Sequence, residues 1–510
     1  MNLFMSGKFF VTTSIPYANA KPHIGHVMEF IQADVLARYH RFKGDDVFFL
    51  TGTDEHGMKM MTTAKELGTT ARELADLNSA LFRNTKEQYN VSYDGFVRTT
   101  DDSHKRGAQK MWMKLKEAGD LYKDSYEGLY CVGCEAFVLE KDLVDGKCAN
   151  HNKEPQKLKE ENYFFKLSKY GKKIAELIES DKLKIVPESK KHEILEVIKD
   201  GLRDVSFSRP KHILEWGIDV PDDPNHVMYV WCDALSNYIS AIGYEHETAA
   251  FKKWWPADVH VIGKDILRFH AAIWIGMLIS ADLPLPKSIC VHGFITSEGK
   301  KMSKSLGNVV DPLEYVTKFG VDPLRYYVLK EIPTTDDGDF SKERFNVVYS
   351  SELANNIGNL VSRVIAMGGK FFDSKVPKPD LRNDLLRSKT EETWDAYCKA
   401  VEGFDFKKAL EVVAEFAFYA NKYVEDTKPW ALAKEEKQEE LAAAIYNLLE
   451  MVRHIGLMLK PFLPATSEKI LDWLGVDLKG MKFDDLIKWG GLKEGAEFKK
   501  AEPLFMRVEE

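Results

Sequence analysis

The sequence has no apolar run of the ~18–20 residues that a membrane-spanning helix needs. It opens without a secretory pattern: Met1 to Lys8 is short, and Phe9-Phe10-Val11 already reads as a buried strand, so the cytosol is the expected location. Cysteine is scarce, six in 510 residues, which excludes a disulfide framework. Positive charge is not in excess either. The net charge of −8 supplies no global field to draw in nucleic acid, so an RNA partner would have to be held by local patches and base contacts. No internal repeat or low-complexity tract is evident. What remains is ordinary globular composition, 44% hydrophobic and 29% charged. At ~100–200 residues per domain, the length implies three or four units.

Residues 8–15 form a β-rich run that ends at Pro16. Apolar residues then recur with helical spacing at Ile24, Val27, Met28, Ile31, Val35, Leu36 and Tyr39, with Gly44 as a natural C-cap. A second strand, Asp46 to Leu50, enters the loop Thr51-Gly52-Thr53-Asp54-Glu55-His56-Gly57, and amphipathic helices follow near 71–89 and 103–118. This alternation predicts a parallel α/β sheet. Residues 120–220 are richer in Lys and Glu, with short aromatic strands such as Tyr163 to Leu167, and read as an insert. Buried-strand texture resumes at Val227 to Trp231, Asp258 to Ile262 and Ser288 to His292, with a helix at 265–280. From about 350 to 475 the pattern is helical, with stretches near 351–368, 381–402, 406–425 and 437–458 and a loop at 372–380, which predicts a bundle.

Three of the six cysteines crowd together. Cys131 and Cys134, then Cys148 and His151, form C-x2-C-x13-C-x2-H, which supplies four tetrahedral ligands for one structural Zn²⁺. The bland alternative is three buried thiols and a surface histidine. Cys232, Cys290 and Cys398 are isolated, so no second set is available. The expected class is therefore α/β: a split Rossmann-type parallel sheet with an inserted zinc-knuckle module, followed by a C-terminal α-helical bundle. The expected units are residues 1–117 and 223–295 for the two halves of the sheet and 118–222 for the insert. A linker at 296–349 and the helical domain at 350–510 complete the chain.

Two short strings carry the chemistry. His23-Ile24-Gly25-His26 follows a strand and opens a helix, where unpaired N–H groups suit phosphate and Gly25 lets a flat base approach the backbone. Alone, it is equally a helix start with two surface histidines. Lys301-Met302-Ser303-Lys304-Ser305 lies in a basic loop between Gly299 and Gly307, able to close over a triphosphate and stabilise a leaving pyrophosphate. Together the strings resemble the paired signatures of class I aminoacyl-tRNA synthetases.

The resemblance is closest to the methionyl branch of that family and runs over essentially the whole chain. Its markers are residues 13–19, the loop 51–57, Tyr229-Val230-Trp231-Cys232-Asp233-Ala234-Leu235 and Gly263 to His270. It implies activation of L-methionine with ATP to methionyl-adenylate plus pyrophosphate. Methionine then passes to the 3′-terminal adenosine of methionine tRNA, initiator and elongator alike. His23 and His26 would hold the phosphates, Lys304 assisted by Lys301 would contact the pyrophosphate, and Mg²⁺ would accompany ATP. Gly25, Gly263, Asp265 and Ser303 would complete the ATP site, with Asp265 at the ribose. The methionine wall would be Ile15, Tyr17, Trp231, Ala234, Leu235, Tyr238, Ile266 and His270, with Asp54 facing the α-ammonium group. A polarizable thioether suits such aromatic edges. Leu235 stands where other members carry proline, and Trp231 and Tyr238 without their flanks would read as ordinary core. The insert has no room for the large editing domain of the leucine, isoleucine and valine enzymes.

In the helical region, residues 355–363 and Thr427-Lys428-Pro429-Trp430 carry the match. The resemblance makes Asn359, Arg363 and Trp430 the readers of the CAU anticodon. Asn359 and Arg363 are four apart and share one helix face, and Trp430 offers a stacking surface, although alone it reads as a core tryptophan. Some relatives carry a further C-terminal dimerisation domain, so a monomer is expected. The rivals are a same-fold enzyme for another amino acid, a non-catalytic tRNA-binding paralogue, and an adenylating ligase for a small molecule.

Overall fold

The computed structural model describes residues 7–131, 136–138, 140, 143–149, 152–302, 308–379 and 384–506. Its centre is a parallel sheet built from β1 (Lys8–Thr13), β2 (Asp46–Thr53), β3 (Gly95–Arg98), β4 (Lys184–Val186), β5 (Val259–Gly263) and β6 (Ser288–His292). The spatial order is β3-β2-β1-β5-β6-β4 and every pairing is parallel. β5 and β6 are buried along their whole length, as strands covered on both faces must be. From β1 the chain winds outward through β2 and β3 on one side, and through β5 and β6 on the other. The crevice beyond the carboxyl ends of β1 and β5 is thus the topological switch point, where doubly wound sheets bind ligands.

Helix α1 (Ile24–Lys43) joins β1 to β2, and Gly44 at φ 93° ends it in the left-handed conformation that glycine adopts without strain. Helix α2 (Asp102–Glu117) leads from β3 into a long antiparallel hairpin, Leu121–Cys131 against Gln156–Phe165. Residues 171–199 then return to the sheet as two helices around β4, which pairs with β6 at the edge. The apolar run 227–231 is not one strand. The strand ends at Met228, and Tyr229 caps a helix, α3 (Val230–Leu235), so Trp231 stands on a helical turn. Runs of five apolar residues suit a buried helix as well as a strand.

After β6, a small sheet pairs Ile295–Ser297 with Lys300–Lys301 and with Gly338–Phe340. Helix α4 (Val321–Lys330) follows. The C-terminal region is helical: α5 (Asn359–Phe372), α6 (Asp384–Glu402), α7 (Phe406–Thr427), α8 (Gln438–Leu459) and α9 (Pro464–Trp473). Its last segment folds back on it. The Glu450 carboxylate accepts from the backbone N–H of Leu492 at 2.5 Å and Gly490 at 3.2 Å, and the Arg453 guanidinium donates to the carbonyls of Leu486 and Lys488. Among the described residues, no helix is long and apolar enough to cross a membrane.

Candidate active site

β1 delivers Thr13, Ser14 and Ile15 to the crevice, and the chain then enters α1 at His23. The two histidines cap that helix for each other. His23 Nδ1 accepts from the N–H of Gly25 at 3.1 Å, and His26 Nδ1 accepts from the N–H of His23 at 3.3 Å. The rings stack with centroids 3.7 Å apart. Both pKa values lie below the ordinary histidine value. Desolvation is the main cause, and repulsion from Lys59 adds to it, as does His23 in the case of His26. A neutral imidazole whose Nδ1 accepts must carry its proton on Nε2. Capping therefore fixes the tautomer and leaves two Nε2–H donors at a helix N-terminus. A Cβ on Gly25 would lie 3.0 Å from His23 Cε1, so a side chain there would press on the ring.

β5 delivers Gly263, Lys264 and Asp265. A Cβ on Gly263 would meet Asp265 Oδ1 at 2.8 Å, so the absence of a side chain lets that carboxylate fold against the backbone. Sequence reasoning missed Glu29 beneath this crevice. Its carboxylate accepts from Ser14 Oγ at 2.6 Å and pairs with His292 Nε2 at 2.8 Å. Burial works against a charged His292, but the Glu29 pairing outweighs it and raises the pKa. The available signal was an acidic residue one turn from His26 and Gln32 in a helix otherwise rich in apolar residues.

The second string starts in the small sheet that follows β6. Lys301 ends the hairpin that pairs it with Thr296. Ser303 and Lys304 lie outside the described residues. Past the loop, Asp311 accepts from Lys21 Nζ at 3.1 Å, two residues before His23. Two segments far apart in sequence thus meet at one mouth.

Next to it lies an aromatic pocket. Trp231 stacks on Phe269 at 3.8 Å and 7°, and Tyr238 Oη bonds His270 Nε2 at 2.7 Å. His270 Nδ1 lies 3.0 Å from the Ile266 carbonyl, so it donates there and Nε2 accepts from the tyrosine. Burial lowers His270 to about 4, which keeps the ring neutral. Ile15, Tyr17, Trp231 and Ile266 pack partly buried against the core cluster that contains Leu235 and Tyr238, and Ala234 is buried alongside. Asp54 is buried and its backbone bridges that of Tyr17. Phe269 was missed because its role emerges only when the helix carrying it faces α3. A neutral, aromatic pocket with one buried carboxylate at its rim fits a small amino acid with an apolar side chain.

Of the four candidate metal ligands, Cys131 and Cys148 are buried, while Cys134 and His151 lie outside the described residues. Among the described residues no set of three or more metal-ligating side chains comes together. In the helical region, Asn359 opens α5 and is exposed. The Arg363 guanidinium lies 5.2 Å from the Trp430 ring and 2.7 Å from Glu425. Trp430 is 43% exposed, so it is not the core tryptophan its composition alone suggested.

This architecture, a switch-point crevice with two mutually capping histidines at the start of α1, is that of a class I aminoacyl-tRNA synthetase. The family model "tRNA synthetases class I (M)" matches residues 9–157 and 134–365, and "Anticodon binding domain of methionyl tRNA ligase" matches 377–510. Methionine–tRNA ligases are similar along nearly the whole chain. That of Caldanaerobacter subterraneus is 45% identical over 99% of this chain and 80% of its own length. That of Brucella suis is 40% identical over 99% and 98%. The Mycobacterium tuberculosis methionyl-tRNA synthetase in complex with methionyl-adenylate superposes with a TM-score of 0.94 at 38% identity, covering 98% of this chain and all of that one. Its apo form gives 0.88 at 34% identity. The chain belongs to the methionyl-tRNA synthetase family, and its reaction is the ATP-dependent joining of methionine to tRNA.

Proposed function

We propose that the crevice and the aromatic pocket form one site, with ATP on the His23/His26 side and methionine against Trp231, Tyr238 and His270. The observation that carries this reading is the pair of neutral histidine caps. Their Nε2–H groups lie at a helix N-terminus, where they donate to phosphate oxygens of the pentavalent transition state. Asp54 holds the α-ammonium group, and the methionine carboxylate attacks the α-phosphorus of ATP. Lys301 and Lys304, with Ser303, follow the pyrophosphate as it leaves, so the cationic loop stabilises charge where it develops. Mg²⁺ enters as the ATP chelate. Gly25, Gly263 and Asp265 seat the nucleoside. The adenylate then passes methionine to the tRNA 3′ end, with no covalent enzyme intermediate. Catalysis is positioning plus electrostatics. Methionine-dependent exchange of pyrophosphate into ATP tests the reading. Exchange driven equally by leucine or isoleucine would refute it. We also infer a cytoplasmic location, because ATP and tRNA meet there.

Asn359, Arg363 and Trp430 form the anticodon-reading face, with Trp430 as a stacking platform for an unstacked base. Trp430→Ala is expected to raise the tRNA Michaelis constant about tenfold, since base stacking on an aromatic ring is worth ~1–3 kcal/mol, while pyrophosphate exchange stays near normal. Loss of both activities together would instead mean a folding defect.

Cys131, Cys134, Cys148 and His151 would hold one structural Zn²⁺. The donor chemistry fits: two of the thiols are already withdrawn from solvent, at the ends of short paired strands. The ion would tie those strands together and take no part in the reaction. Elemental analysis of purified protein should give about one zinc per chain. A stoichiometry near zero in active enzyme would sink the site.

A further inference from the structure

A buried carboxylate that the mechanism does not use joins two walls of the methionine pocket. Asp233 has no exposed surface. Its Oδ2 lies 2.7 Å from His56 Nδ1 and its Oδ1 lies 2.7 Å from His104 Nε2. An ionised carboxylate only accepts, so both rings donate to it. His104 Nδ1 is held in turn at 2.8 Å by Ser240 Oγ. That hydroxyl has one proton, and its other acceptor, the Asn237 carbonyl, is 3.4 Å away, so the short bond to His104 takes it. The chain Ser240 to His104 to Asp233 to His56 then has one consistent direction on the His104 side and is closed by the second donor from His56.

The elements it ties are the ones that matter. His56 is two residues from Asp54, in the loop leaving β2. Asp233 is two residues from Trp231, in α3 beside Ala234 and Leu235. His104 anchors both to α2, which packs flush there: a Cβ on Gly107 would lie 2.7 Å from Ser240 Cβ. The rest of the loop is pinned separately. Glu55 binds Arg98 at 2.6 and 3.0 Å and Thr100 at 2.5 Å, while Trp216 Nε1 donates to its carbonyl at 2.5 Å. With Glu55 tied to β3 and its neighbours, His56–Asp233 is a side-chain link from this loop to the pocket helix.

We propose that Asp233 is a positioning residue that sets the affinity for methionine, by fixing the loop that carries Asp54 at a set distance from the helix that carries Trp231, Ala234 and Leu235. The inference rests on the pocket assignment above. Methionine spans that distance, with its ammonium group at one wall and its side chain at the other. ATP sits on α1 and the end of β5, which the network does not touch.

The test compares wild type, Asp233→Asn and Ser240→Ala in methionine-dependent pyrophosphate exchange, varying methionine and ATP separately. An asparagine oxygen can accept from one histidine only, and its NH₂ faces the other. The methionine KM of Asp233→Asn should rise about tenfold or more, as for a misplacement near 1 Å, with the ATP KM within about twofold of wild type. Ser240→Ala leaves the carboxylate in place and should raise the methionine KM about two- to fivefold, the equivalent of one hydrogen bond. An unchanged methionine KM in folded Asp233→Asn overturns the proposal, as does a parallel rise in both constants. If Asp233→Asn does not fold, Ser240→Ala decides by the same criterion. A wild type without methionine-dependent exchange would instead refute the pocket assignment itself.

Discussion

Arg325→Leu is expected to destabilise the protein by about 3–5 kcal/mol, the usual cost of stranding one member of a buried ion pair. The side chains of Arg325 and Asp34 have no exposed surface and meet at 2.8 Å. The guanidinium also donates to the carbonyls of Phe462, Pro461, Tyr89 and Asn90, all at 3.3 Å or less. One side chain on α4 thus joins α1, the approach to β3 and the turn before α9. Removing it takes a donor from four carbonyls, of which that of Asn90 keeps Arg38 at 2.8 Å, and leaves Asp34 with Arg38 as its remaining cation, at 2.7 Å. Burial alone would raise the Asp34 pKa, but the Arg325 and Arg38 guanidinium groups and the Ser92 hydrogen bond more than offset that and hold it below 3.8. The sign follows. A carboxylate whose folded pKa is depressed contributes stability that is complete above its unfolded value and fades as pH falls through the folded one. Denaturant unfolding near neutral pH should show the full loss for Arg325→Leu. The wild type should lose the same contribution only on strong acidification. A double variant, Asp34→Leu with Arg325→Leu, should recover part of the loss, because two apolar side chains leave no uncompensated charge. A single-variant cost below about 1 kcal/mol would remove the pair from its place as the joint between sheet and bundle.

What was readable in the sequence was local. The spacing Ile24, Val27, Met28, Ile31, Val35, Leu36 and Tyr39 is the buried stripe of α1, and Gly44 ends the helix where a left-handed residue is needed. Phe10-Val11 and Val259 to Ile262 read as buried strands because a parallel sheet covered on both faces tolerates no polar alternation there. The long helices of the C-terminal region follow from the same periodicity. What was not readable was pairing over distance. β4 is three residues in a Lys- and Glu-rich stretch, and no local pattern says that Ile185 completes a sheet begun at Phe9. Asp34 and Arg325, Glu29 and His292, and His56 and Asp233 each look like solvent-facing charge until the fold withdraws both partners from water together. Trp231 was placed on a strand because the run it ends is apolar throughout, and only the turn at Tyr229 reveals the helix. The mutual capping of His23 and His26 was likewise invisible. Their spacing puts the rings on one face, but the tautomer depends on which backbone N–H each ring accepts.

That tautomer bears on the remaining large effect. Lys304→Ala is expected to slow adenylate formation about 10²–10³-fold, as for loss of one donor to transition-state charge. The pKa values of His23 and His26 are lowered, so near neutral pH the two rings offer dipoles rather than charge. As the bond to the leaving group breaks, negative charge collects on pyrophosphate, on the far side of the α-phosphorus from the attacking carboxylate. Neutral Nε2–H donors cannot balance it alone, so the proposed mechanism assigns that balance to the lysines of residues 301–305. The loop starts at the hairpin end that holds Lys301, and Asp311 beyond it is tethered to Lys21, two residues before His23, so its far end is held at the start of α1. In the proposed site methionine lies against Trp231, Tyr238 and His270, away from that charge, and its dissociation constant should stay within about twofold. Single-turnover formation of methionyl-adenylate gives the rate, and fluorescence titration of the free enzyme with methionine gives the affinity. Pyrophosphate exchange within a factor of a few of wild type would remove Lys304 from the chemistry. A loss of methionine binding equal to the loss of rate would show that the loop acts on the pocket rather than on the leaving group. Acidity offers an independent check. With both histidine values lowered, the Nε2–H tautomer persists below pH 6.5, so exchange by wild type should hold there rather than fall with an ordinary histidine titration.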